Sequence, residues 1–273
     1  MTTWFEVAGI TFLVAASWFL GCWVGRQKKG WVFGVYGVGI FMVMLMGFQR
    51  LFGGAGLIPP FSWLLGGRVR YVVASVIIPL IFAPLLSLMP QRRFRIVTGG
   101  VAILMVTYYS VMPFVQSALA RPTLQAITTQ VDEQGVCLQQ TDYTCGPAAA
   151  VTALKLLGLP AEEGRIAIWS LTSPTAGTSM DVLADALKEH YGEQGLNVNV
   201  RHFRNVSDLK KCGLTLAVIK CEFLLDHYVA VLTVSDRLVV VGDPSTGISI
   251  YSPEQFAKVW RFSGIELSRT QPS

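Results

Sequence analysis

A chain of 273 residues that is 52% hydrophobic and only 14% charged is too apolar for one ordinary soluble domain, in which about a quarter of the residues carry charge. Residues 1–120 hold nine Lys/Arg and one acid, Glu6, whereas residues 121–273 hold thirteen Lys/Arg and sixteen Asp/Glu. The overall +5 is thus +8 on the first part and −3 on the second, and with no basic stripe interleaved with aromatics it excludes a nucleic-acid-binding reading of the basic balance.

Four uncharged stretches, near residues 7–25, 31–49, 71–89 and 96–120, are each long enough at about 1.5 Å per residue to cross a hydrocarbon core of roughly 30 Å. They predict an all-α bundle of four transmembrane helices over residues 1–120. The first is read as a retained helix: residues 1–6 lack Lys and Arg, and the positive cluster follows the apolar run, the reverse of a signal peptide. Pro79, Pro84 and Pro113 are expected to kink the third and fourth spans. No Asp, Glu, Lys or His lies deep in a span, so the usual mark of an intramembrane ion path is missing.

The first loop carries Arg26, Lys28 and Lys29 and the third Arg92, Arg93 and Arg95, against Arg50, Arg68 and Arg70 in the middle loop. The positive-inside rule then puts loops one and three in the cytoplasm and both termini outside, by a modest margin because Arg68 and Arg70 abut the third span; the inverted topology is the alternative. This predicts a multi-pass protein of a bacterial inner or plasma membrane, with residues 121–273 extracytoplasmic. The apolar middle loop, "LFGGAGLIPPFSWLLGG", reads as an interfacial or re-entrant segment. It ends in the pair Gly66-Gly67, a candidate for self-cleavage after Gly67, although 26 glycines make such pairs common by chance.

Residues 121–273 have the size of a soluble domain. "CGPAAAVTALKLLGL" predicts a helix that stops at Gly158 and Pro160, and "SMDVLADALKEHYG" a second that stops at Gly192. The strand-like runs "LNVNVRHF", "LTLAVIKCEF", "HYVAVLTV", "RLVVVGDP" and "GISIYS" follow, then a short helix "SPEQFAKVWRF" capped by Ser252. Helices followed by an antiparallel sheet make an α+β fold.

Cys145 opens the first of these helices. A thiol attacks as its thiolate, which the unpaired N–H groups and dipole of a helix N-terminus favour. Pro147 is tolerated in a first turn, and Gly146 allows close approach of a substrate backbone. A nucleophile needs a base and the base an orienting partner. Of His190, His202 and His227, the last starts a strand; a two-residue turn at Ser235 and Asp236 would set Asp243 opposite Tyr228, beside His227. Taken singly, a buried cysteine, a strand-end histidine and an aspartate in an Asp-Pro-Ser turn are ordinary structural features.

In combination, "QQTDYTCGPAA", "DHYVAVL" and "VGDPSTG", in that order over residues 124–262, resemble peptidase family C39 of the papain-like clan, best known for domains that remove double-glycine leader peptides from bacteriocin precursors during export. The resemblance implies an α+β papain-like cysteine peptidase domain over residues 121–273, with Cys145 as nucleophile, His227 as general base and acid and Asp243 orienting the imidazole. It also implies an oxyanion donor at Gln139, six residues before the nucleophile, with Gln140 as the fallback and the Cys145 N–H as a second donor. No cofactor is implied. The implied partners are a peptide or protein substrate, the lipid bilayer and a separate export machinery, with no nucleic acid. The chain departs from leader-processing members in carrying Thr144 where they have Asp and Ala149 where they have a second Cys, and it has no Walker motif. These departures leave the cleavage specificity open between double-glycine and other sites.

Two other classes fit the same features. One is a non-catalytic C39-like peptide-binding or sensory module on a membrane anchor, although such a module has no need of Gln, Cys, His and Asp together. The other is a transport or scaffold protein, which the lack of intramembrane charge disfavours. Cys22 reads as packing, and Cys137, Cys212 and Cys221 leave room for one disulfide of unspecified pairing. Zinc-type spacings such as Cys-x-x-Cys are absent, so no metal is expected.

Overall fold

A computed structural model describes residues 2–27, 34, 36–41, 44, 69–222 and 225–270. Its contacts divide the chain into two compact units, Met1–Ala118 and Leu119–Ser273.

The first unit contains α1 (Thr2–Gly25), α2 (Val69–Leu88), α3 (Arg92–Val106), a π-helical turn (Thr107–Val111) and the start of α4 (Met112–Gln125). Three helical runs among the described residues, Trp4–Gly25, Tyr71–Leu88 and Arg92–Gln125, are long and apolar enough to cross a membrane. Most of the expected second span, and the middle loop with Gly66-Gly67, lie outside the described residues. Phe12, Phe19, Ile103 and Leu104 are exposed on the helix surfaces. Gly21 and Gly25, one turn apart on α1, let α2 approach: a Cβ at Gly21 would stand 2.9 Å from the Cβ of Ala83, and one at Gly25 2.7 Å from Ser87 Oγ. Pro113 is accommodated by a π turn just before it, in which the Met112 N–H reaches back to the carbonyl of Thr107.

The second unit is α+β. After a two-stranded ribbon, β1 (Gln130–Val131) and β2 (Cys137–Leu138), come α5 (Cys145–Leu156), α6 (Glu163–Trp169) and α7 (Met180–Tyr191). The sheet strands are β3 (Leu196–His202), β4 (Leu214–Glu222), β5 (Leu225–Val234), β6 (Val239–Asp243), β7 (Gly247–Tyr251) and β8 (Trp260–Arg269), with α8 (Pro253–Val259) between the last two. They pair antiparallel in the order β3-β8-β4-β5-β6-β7.

Alternation along the strands supplies two cores. Leu216, Val218, Tyr228, Ala230, Ile265 and Leu267 pack with α5 and α7, while Ala217, Ile219, Val229, Val231, Val239 and Val241 pack with Phe256 and Trp260. Ten consecutive residues of α5, Cys145 to Leu154, are buried, which is why this helix lacks an amphipathic stripe. It is the helix against which the catalytic candidates are arranged.

Two elements differ from the sequence reading. The segment after α8 forms a full strand, β8, between β3 and β4. Its pairing with β4 shifts by two residues between Ala217↔Gly264 and Ile219↔Trp260, and Phe262 sits in that bulge at φ 52°. The connection from β5 to β6 is a longer turn: Val234 pairs with Val239, and the Ser235 hydroxyl accepts from the N–H groups of Arg237 and Leu238.

Candidate active site

Cys145 is the first residue of α5 and is 8% exposed. Position alone makes its N–H one of the four at a helix start that lack an intrahelical acceptor. The turn before it is closed by Thr144, whose N–H and hydroxyl both bond Thr141. Gly146 also has a packing role. A Cβ there would lie 3.0 Å from the Cβ of Thr178, so the missing side chain makes room for Thr178.

His227 lies near the start of β5 and Asp243 at the end of β6. Val231 pairs with Val241, Ala230 with Gly242, and one further step sets Asp243 across from Val229, on the same strand face as His227. This corrects the expected pairing with Tyr228: the longer turn and a bulge between Val231 and Thr233 move the register by one residue, which turns Asp243 toward the imidazole. His227 Nε2 is 2.7 Å from Asp243 Oδ1. Because an ionised carboxylate only accepts, Nε2–H donates and Nδ1 is left to exchange a proton with a thiol.

The ring is also close enough to Cys145 for that group to raise its pKa. Burial pulls the His227 pKa down, but the bond to Asp243, the nearby Cys145 and the charges of both groups outweigh it and push the value up to about 9. Burial likewise works against the Asp243 carboxylate, yet the bond from His227 and the N–H of Ser245 hold its pKa below the usual range. The N–H of Ser245 donates to Asp243 Oδ1 at 2.8 Å, and the Ser245 hydroxyl is 3.5 Å from His227 Nε2. The Asp-Pro-Ser turn thus fixes the carboxylate that meets the His227 ring.

Gln139 is tied to the same corner by its N–H, which donates to the carbonyl of Pro244 at 2.9 Å. Its side-chain Oε1 is buried and has no hydrogen-bond partner among the described residues. Gln140 is exposed and its amide folds back to the carbonyl of Leu138, away from this corner. His190 stacks on Trp169 and His202 is exposed on β3, so neither joins the cluster.

The family model described as the Peptidase C39 family matches residues 133–272, more than half of the chain and all of these residues. The chain belongs to the peptidase C39 family. This C39 chain is also similar to two uncharacterised proteins. The one from Methanothermobacter thermautotrophicus is 24% identical over 144 residues, 52% of this chain and 94% of that protein. The one from Methanothermobacter marburgensis is 24% identical over 139 residues, 51% of this chain and 92% of that protein. Among solved structures, it is similar to a double glycine motif protease from an AMS/PCAT transporter in complex with the leader peptide, at 15% identity and TM-score 0.43 over 52% of this chain and 93% of that one. It is similar too to the peptidase domain of Streptococcus ComA, a bi-functional ABC transporter, at 22% identity and TM-score 0.42 over 49% and 96%.

The remaining thiols are unpaired, as all five cysteines are. Cys137 is fully buried, and burial together with the charge of Glu163 pushes its pKa up to about 12, which makes it inert. Glu163 itself, at the start of α6 and fully buried, is a residue the sequence reading missed. Among the described residues no three His, Cys, Asp or Glu side chains converge as metal ligands.

Proposed function

We propose that this C39 chain is a membrane-anchored cysteine peptidase that hydrolyses peptide bonds through Cys145, His227, Asp243 and Gln139. The observation that carries the proposal is the His227–Asp243 pair, 2.7 Å apart, with an imidazole whose pKa is raised by Asp243 and by Cys145. In the proposed cycle the Cys145 thiolate attacks the carbonyl carbon of the scissile bond. The developing oxyanion is held by the Cys145 N–H and the Gln139 amide; a half-turn about the terminal bond of Gln139 exchanges its unpartnered Oε1 for Nε2, a donor. The His227 imidazolium then passes its Nδ1 proton to the leaving amine, giving a thioester and a free N-terminus. Water, deprotonated by the same nitrogen, attacks the thioester, and the thiolate–imidazolium pair is restored as the carboxylate departs.

An unpartnered buried amide oxygen costs roughly 1–3 kcal/mol, a cost that fits a side chain held ready for a ligand. Three long apolar helices supply the anchor, and the distribution of Lys and Arg supports an extracytoplasmic peptidase unit acting on exported peptides or their leader sequences. The test is hydrolysis by the detergent-purified full chain of matched peptides with and without a Gly-Gly pair at the cleavage point. Turnover by wild type and none by Cys145→Ala is expected; equal turnover by both would overturn the assignment of the nucleophile.

A further inference from the structure

The mechanism above leaves one buried ionisable group unused. Glu163 has no exposed surface, although it begins a helix between Glu162 and Gly164, in a stretch whose composition suggests a solvated turn. Taking a carboxylate out of water costs several kcal/mol unless its oxygens find donors, so a buried acid at a helix start is not ordinary packing. Its donor identifies what it does. Oε1 accepts the backbone N–H of Gln140 at 3.0 Å, while Oε2 is buried with no hydrogen-bond partner among the described residues. Gln140 directly follows Gln139. The carboxylate therefore holds the backbone next to the proposed oxyanion donor Gln139, at the start of the turn that leads to Cys145.

The position of Glu163 is itself fixed. Its N–H donates to Thr129 Oγ1 at 2.9 Å. The next residue must be glycine, because a Cβ at Gly164 would stand 2.2 Å from the carbonyl oxygen of Leu124 on α4. Helix α6 is thus pressed onto the end of α4, and its first carboxylate points under the Gln139–Cys145 loop rather than into solvent. Two hydroxyl or amide side chains could brace that loop without burying a charge. Burial pushes the Glu163 pKa up, and the N–H of Gln140 opposes that rise.

We infer that Glu163 is a positioning residue that holds the backbone beside Gln139, and so places the Gln139 amide for oxyanion stabilisation without touching the substrate. The inference rests on the peptidase reading, and the test separates the two. A Gly-Gly peptide aldehyde forms a hemithioacetal by adding the Cys145 sulfur to its carbonyl carbon. The aldehyde oxygen takes the proton or the donors of the oxyanion site, and no group leaves. Iodoacetamide alkylates the same sulfur with loss of iodide and builds no oxyanion.

Both reagents would be measured on the detergent-purified full chain as wild type, Glu163→Ala and Glu163→Gln, with folding checked by thermal unfolding. Glu163→Ala is expected to weaken aldehyde binding and lower kcat by about tenfold or more, with KM and the alkylation rate within about twofold of wild type. Glu163→Gln keeps an acceptor for Gln140 and is expected to fall between the two. Should Glu163→Ala not fold, Glu163→Gln alone carries the test, with an expected loss of about threefold in aldehyde affinity at an unchanged alkylation rate. Unchanged aldehyde affinity in a folded variant overturns the inference, as does a parallel fall in alkylation, which would mean that Glu163 acts on the thiol or the fold at large. A wild type that is alkylated at Cys145 yet never binds the aldehyde overturns the peptidase reading, and this inference with it.

Discussion

Replacing Asp243 by Asn removes one charge at the centre of the site and almost nothing else. The Asn oxygen can still accept the Ser245 N–H, which now reaches Oδ1 at 2.8 Å, so the turn is retained. In the folded protein His227 has a pKa of about 9 against its ordinary 6.5, and that difference corresponds to about 3 kcal/mol in favour of the imidazolium, after burial has worked against it. An opposite charge at hydrogen-bond distance accounts for about one to three pH units of such a rise. The imidazolium must be present to protonate the leaving amine, so kcat/KM for a fluorogenic peptide should decline on the alkaline side near pH 9 in wild type. Asp243→Asn should move that decline down by about one pH unit or more and lower the maximum. The measurement is a rate profile from pH 5 to 10 on the detergent-solubilised full chain, both proteins under identical ionic strength. An alkaline limb at the same pH in both would refute the reasoning, because Asp243 would then contribute nothing to the protonation of His227.

Other outcomes follow from the same geometry. Gln139→Ala should lower kcat by about 10²- to 10³-fold with little change in KM, as loss of one oxyanion donor does, whereas Gln140→Ala should stay within about twofold; steady-state kinetics of the two variants distinguishes their roles. Gly146→Ala should destabilise the peptidase unit by about 1–3 kcal/mol, because its new Cβ would press on Thr178 from 3.0 Å, and a Gly146→Ala, Thr178→Ser double variant should recover part of the loss in thermal unfolding. The raised pKa of His227 also links stability to pH. The imidazolium contributes fully below about pH 6.5, and its contribution is lost as the pH rises through about 9, so the unfolding temperature of wild type should fall across that window more than that of His227→Ala.

Much of the site could be read in the sequence because its residues sit at element boundaries with strong local signals. Cys145 marks the change from a polar loop to a small-residue helix, and Asp243 closes a run of valines before a proline. The register that joins Asp243 to His227 could not be read, since it depends on a four-residue turn and a bulge between Val231 and Thr233 that no residue pattern announces. Strand β8 was hidden by its first three residues, Trp-Arg-Phe, which continue the helical look of α8; only Ile265 and Leu267, alternating with Gly264 and Glu266, show the strand period. Helix α6 is seven residues long, about two turns, too short for a 3.6-residue period to stand out. Glu163 was illegible for a related reason. Nothing in "AEEGRIAIW" distinguishes the buried acid from its exposed neighbour, and only the contact of Gly164 with Leu124 turns it inward.

The central claim is that Cys145 is a nucleophile activated by His227. Its most direct test is intact-mass spectrometry of the detergent-purified chain after exposure to an epoxysuccinyl cysteine-peptidase inhibitor, comparing wild type with Cys145→Ala and His227→Ala. A single covalent adduct on wild type that is absent from both variants is the predicted result. An unmodified but folded wild type, or an adduct that persists in Cys145→Ala, would contradict the claim and leave the C39 fold serving as a peptide-binding module.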